Sequence, residues 1–162
     1  MIGAAFSSIL VILVLSLHHL LKAVAPNVMQ VASVFGFLWA GLVIAGSMIF
    51  NVGMATVIDL YGKDPEQAAT VWLTISTIYE GLAGGNELVG GFWVFLVSWV
   101  GIRHQVFPKS LHMLGILVGV AGISSSLPGL GEIGGAVFGL GQIGWFLYLG
   151  GVMIRAGKAS AK

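Results

Sequence analysis

Long apolar runs broken by short polar clusters set the plan of this chain. A membrane-crossing helix needs about 20 mostly apolar residues. Residues 2–24 supply the first such run, closed by Lys22 and Pro26. Residues 30–57 supply the second, from Gln30 through VASVFGFLWAGLVIAGSMIF, with fraying expected near Asp59. The cluster YGKDPEQ then marks a helix start at residue 65. Asp64 suits an N-cap, Pro65 the first helical position, and Glu66 the positive end of the helix dipole. Apolar character persists from Ala68 to Ile102, too long for one ordinary span. Either this is one long helix, or it breaks at Gly84-Gly85 into two short ones. The fourth span is 110–127, stopped by Pro128 and Gly129, and the fifth is roughly 132–155, ending at Arg155.

Composition turns these runs into a membrane protein. The chain is 57% hydrophobic and 8% charged. Soluble domains carry about 25% charged residues, so this chain has too few to cover a water-facing surface. Lipid accepts what water would not. The expected fold is an all-α transmembrane helical bundle, one integral-membrane domain over 1–162. Five spans are preferred. Six arise if the third helix breaks at Gly84-Gly85. The absence of cysteine removes disulfides, thiolate metal sites and a cysteine nucleophile. A net charge of +1 and the lack of a basic patch with interleaved aromatics set nucleic acid aside. Ala23-Val24-Ala25 resembles a signal-peptide cleavage site, but no Lys or Arg precedes the apolar run, so residues 2–24 are read as a retained span.

In the five-span arrangement Lys22, Arg103, Lys109, Arg155, Lys158 and Lys162 share one side, and Lys63 alone lies on the other. By the positive-inside rule this puts the N-terminus outside and the C-terminus in the cytoplasm of a bacterial inner membrane. Asp59, Asp64, Glu66 and Glu132 then fall outside. Six spans give an equal basic bias with the opposite start.

The segment ISTIYEGLAGGNELVGGFWVF, residues 75–95, places carboxylates within an apolar run. On a helix Glu80, Gly84, Glu87 and Gly91 form one stripe. Glycines invite close approach of a neighbouring helix, so the carboxylates are expected to face the bundle, where an ionised group needs a partner or a proton. Asn86 lies beside the stripe, in reach of Glu87 or Asn51. One reading is a proton- or cation-coupled site carried by Glu80 and Glu87, completed by Asn51 and Asp59. The other is that both acids lie near the outer interface and fix the register of the bundle.

Four histidines fall toward the basic side: His18, His19, His104 and His112. His18 or His19 with His112 is a candidate pair for haem or metal across helices. The plainer reading is interfacial imidazole beside Lys22, Arg103 and Lys109. Trp39, Trp72, Trp93, Trp99 and Trp145 suit interfacial belts or bundle packing. Gly115 and Gly119 form a GxxxG, and Gly131, Gly135 and Gly139 recur every four residues. These are close-contact faces, within the bundle or with a second protein. GLGEIGG lacks the Lys-Ser/Thr of a phosphate loop, and no catalytic constellation stands out.

Residues 13–47, LVLSLHHLLKAVAPNVMQVASVFGFLWAGLVIAGS, resemble a bacterial membrane family, domain of unknown function 4386. RHQVFPKSLHMLGILVGVAGI at 103–123 looks like that family's Pro-containing loop and LG-rich span. GWFLYLGGVMIRAGK at 144–158 is similar to its closing Trp-and-Gly helix. The resemblance implies the helical membrane architecture, with the first span here standing where the family's second would. It implies no activity and no catalytic residue. The function put first is a non-enzymatic membrane subunit or scaffold, docking to a membrane-protein partner or to itself through glycine faces. A small carrier or sensor lined by Glu80 and Glu87 comes second, and a haem or quinone redox subunit third. No cofactor is expected under the first two.

Overall fold

The structure, a computed structural model, describes residues 2–160. It contains five helices: α1 (Ile2–Leu21), α2 (Pro26–Tyr61), α3 (Pro65–Arg103), α4 (Lys109–Ser124) and α5 (Gly131–Ser160). Lys162, counted above among the basic residues, lies outside the described part. The five elements match the five apolar runs. α3 is continuous through Gly84-Gly85, so the broken-helix alternative falls away. Intrahelical hydrogen bonding persists there because nothing pulls the backbone out of register, and a glycine pair costs only about 1 kcal/mol per residue. α2 begins at Pro26, four residues before the expected start, and reaches Tyr61 without fraying at Asp59. Asp64 caps α3 as its sequence suggests, its carboxylate accepting from the Gln67 amide at 3.0 Å.

Successive helices run antiparallel. Gly3 lies against Ser47 while His18 meets Ser33. Gly36 lies against Trp93 while Gly53 meets Ile75. Gly91 lies against α4 at Gly119 and Gly122, and Gly101 against His112. α3 is the hub, touching the other four helices, whereas α1 makes no close backbone contact with α4 or α5. Four helices, α1, α2, α3 and α5, are long and apolar enough to cross a membrane. α4 has 16 residues, about 24 Å, a shorter apolar helix wedged between α3 and α5.

The core is aromatic. Trp39 stacks on Phe146 with centroids 6.0 Å apart and meets Phe6, Trp93 and Phe138 within 5.9 Å. Trp93 meets Trp145 edge-on at 5.7 Å. Gly90 makes this possible, since a Cβ there would come within 2.8 Å of both Trp39 and Phe138. So three of the five tryptophans pack the bundle centre, while Trp99 is exposed. Outward faces carry Ile12, Leu117, Leu140 and Leu147, a surface suited to lipid and unsuited to water. Hydroxyls on these faces bond their own helix, Ser8 to Ala4 O and Ser16 to Ile12 O.

Candidate functional site

α5 has 30 residues, and α2 and α3 are longer still. Their 36 and 39 residues extend about 54 and 58 Å, against about 40–45 Å for a bilayer with its headgroups. The start of α1 reaches only Ser47, and Ser47 shares a small cavity with Leu82, Ala83 and Asn86. The α4–α5 end meets α3 at Glu87, beside Gly122 and Gly135. Beyond these levels, residues 48–82 form a two-helix hairpin with no third helix against it among the described residues. From Ser47 to Tyr61 it projects about 21 Å.

The hairpin is sealed along its own seam. Phe50 meets Trp72 at 6.0 Å and Tyr79 at 5.5 Å. Ile75 fills the space at Gly53, and Ala68 is buried near the tip. Its outer faces remain apolar: Val52, Ile58, Tyr61, Leu73 and Ile78 are all exposed. Thr70, Thr74 and Thr77 turn their hydroxyls back to the carbonyls one turn earlier. At the tip, Lys63 pairs with Asp59 at 2.8 Å, and Asp64 is spent on the cap.

The carboxylate stripe divides at the bundle edge. Glu80 and Gly84 are exposed on the hairpin side and do not face the bundle, contrary to the expectation from spacing. The helical phase is as expected, but no neighbour reaches high enough to meet them. Glu87 does turn inward, where a Cβ at Gly135 of α5 would come within 2.7 Å of its Oε1. Gly91, the last member, lies against the α4 backbone. Asn86 faces α2, in a cavity of about 90 Å³ also lined by Ser47 and Tyr79. Its Oδ1 is buried and has no partner among the described residues, and no hydrogen bond joins its side chain to Glu87 or Asn51. Asn51 and Asp59 are exposed on the hairpin. Glu80, Glu87 and Asn86 therefore occupy three different surroundings.

The glycine faces divide in the same way. Gly115 and Gly119 both pack within the bundle, Gly115 against Ser98 and Trp145 and Gly119 against Phe95 and Gly91. On α5 the contact positions are Gly134, Gly135 and Gly141, whereas Gly139 faces open space and Gly131 only approaches Ser125 O at 3.4 Å. The four-residue repeat is thus not one contact stripe, because α5 meets α4 along a different line.

The histidines take different partners. His18 Nδ1 lies 2.9 Å from Ser33 Oγ and 3.1 Å from Met29 O, tying α1 to α2. His112 Nε2 donates to Val106 O at 2.6 Å and bears on Gly101, tying α4 to the α3–α4 loop. That loop holds Gln105 and Phe107 at φ 55° and 77°, left-handed backbone that non-glycine residues rarely adopt. The His112 bond anchors it, a local constraint with no sequence signature. His19 and His104 are exposed. Among the described residues, no three His, Cys, Asp or Glu side chains group as metal ligands.

Comparison with curated proteins and with solved structures gives no match. The family described as Domain of unknown function (DUF4386) matches over residues 2–152, from the first turn of α1 well into α5. That match covers nearly all of a chain built as an apolar helical bundle, and the protein is a member of that family.

Proposed function

We propose that this membrane protein is a non-enzymatic subunit that docks a partner membrane protein along its α2–α3 hairpin. One observation carries the reading: a projecting pair of helices keeps Ile58, Tyr61 and Leu73 exposed, each by about two-thirds of its surface. Standing close to the membrane normal, helices this long carry the hairpin tip beyond the bilayer. Apolar side chains held in water mark an interaction surface. The hairpin also carries Asp59, Lys63, Asp64, Glu66 and Glu80, an acidic balance. A fitting partner therefore presents an apolar helix face flanked by basic residues. By the positive-inside rule the basic ends of α1, α3 and α5 face the cytoplasm and the hairpin faces outward.

The carrier reading asks for Glu80 and Glu87 on one cavity, and their separation favours the subunit instead. The test is native mass spectrometry after gentle extraction from the source membrane. The wild-type chain is expected at a mass above one copy, with a second polypeptide attached. An Ile58→Ser/Leu73→Ser variant is expected to lose it while unfolding at the same temperature. A lone wild-type chain, or an assembly indifferent to the double substitution, contradicts the proposal.

A further inference from the structure

Between α1 and α5 the bundle is open. The two helices run in the same direction and touch through Phe6 and Phe146, 6.1 Å apart, without close backbone contact. Below that contact lies a groove of about 480 Å³, walled by Leu10 and Leu13 of α1 and by Leu149 and Met153 of α5. Its size is that of a small-molecule site. Its lining is apolar, and its one hydroxyl, Ser16, is already bonded to Ile12 O. Nothing in the groove rewards a polar ligand.

Length and charge identify the occupant. From Phe6 to Ser16 the groove follows α1 for ten residues, about 15 Å. That is half of a hydrocarbon core about 30 Å thick, the depth of one leaflet. Where the apolar lining ends, the α1 wall turns basic. Ser16 also borders a second cavity lined by His18, His19 and Lys22. On α5, Met153 is followed by Arg155 and Lys158. Because the two helices are parallel, these cations collect at the same end. α1 carries no acid, and the single acid of α5, Glu132, lies in its first turn at the opposite end.

We infer that the α1–α5 groove is a binding site for one anionic phospholipid of the leaflet on the basic side. An acyl chain lies between Leu13 and Leu149, and the headgroup meets Lys22. Apolar burial holds the chain, and cations near the surface add selectivity for negative headgroups.

Two neighbouring glycines give a matched test. Gly150 lines the groove and Gly151 does not, and an added Cβ meets nothing within 4 Å at either position. Leucine at both sites raises helix propensity equally, but only Gly150→Leu fills the groove. The probe is the full chain in nanodiscs of 1:1 phosphatidylglycerol and phosphatidylcholine, with bound lipid read by native mass spectrometry. Wild type and Gly151→Leu are expected to retain one phosphatidylglycerol per chain, and Gly150→Leu to retain roughly tenfold less, since the side chain displaces several methylenes. Lys22→Gln is expected to keep a lipid but lose the preference for phosphatidylglycerol. Equal retention by the two leucine variants overturns the site. So does an undiminished phosphatidylglycerol preference in Lys22→Gln. A second polypeptide released by Gly150→Leu would also overturn it, making the groove a protein-docking seam.

Discussion

The basal and projecting halves of α2 and α3 have similar raw material and opposite fates. Around residues 29–46 and 84–103, three further helices close over the pair and bury Trp39, Trp93, Val94 and Val97. In residues 48–82 the two helices have only each other, and their outer apolar side chains stay exposed. Both halves are rich in apolar residues. What separates them is the presence of a third helix, and small residues mark where it sits. Gly91, Gly119 and Gly122 bring α3 and α4 within 2.9 Å of an added Cβ, whereas Gly81 and Gly84 meet nothing. The subunit proposal takes this unpartnered face as its docking surface.

The contrast can be broken most forcefully at the aromatic core. Trp93→Ala should cost about 3–5 kcal/mol, because its neighbours cannot collapse into the space. Phe50→Ala, on the half-open hairpin seam, should cost much less. Thermal unfolding in detergent compares the two. Next in size is the glycine contrast. Gly91→Ala drives a Cβ into the α4 backbone, contact that no side-chain rotation relieves, and should cost about 1–3 kcal/mol. Gly84→Ala should be neutral or stabilise by up to about 1 kcal/mol, as read from the same melts. Gly135→Ala should be milder than Gly91→Ala, because the Glu87 carboxylate it meets can swing away. Combining it with Glu87→Ala should then give a coupling of at least about 0.5 kcal/mol, measured as a double-mutant cycle. The smallest effect belongs to the tip. Lys63→Ala removes an exposed pair one turn apart, worth about 0.3–0.5 kcal/mol, and the difference should vanish in high salt.

Element identity was legible because apolar run length and capping chemistry are local. Asp64-Pro65-Glu66 announced the start of α3 to the residue, and Pro26 and Pro128 bounded their neighbours. The continuity of α3 was not legible, since Gly84-Gly85 permits both a bend and a straight helix, and packing alone decides. The stripe Glu80-Gly84-Glu87-Gly91 was right in phase, but only Glu87 and Gly91 have a helix opposite them. Periodicity states which residues share a face, and it is silent on how far the opposing helix extends. The same limit explains Gly139, which shares a repeat with Gly135 but no contact. The tryptophan cluster was hidden for another reason: belt and core tryptophans look alike until partner helices are assigned. His112 and the left-handed loop it anchors left no pattern at all.

The most direct measurement places a photo-crosslinking amino acid at two exposed leucines, Leu73 on the hairpin and Leu147 on the bundle, each about 70% exposed or more. Irradiation is carried out in intact membranes of the source cell, and the adducts are identified by mass spectrometry. If the hairpin docks a partner, position 73 yields one dominant polypeptide adduct and position 147 yields lipid. Lipid adducts alone at both positions would show the hairpin to be ordinary membrane surface and would contradict the account.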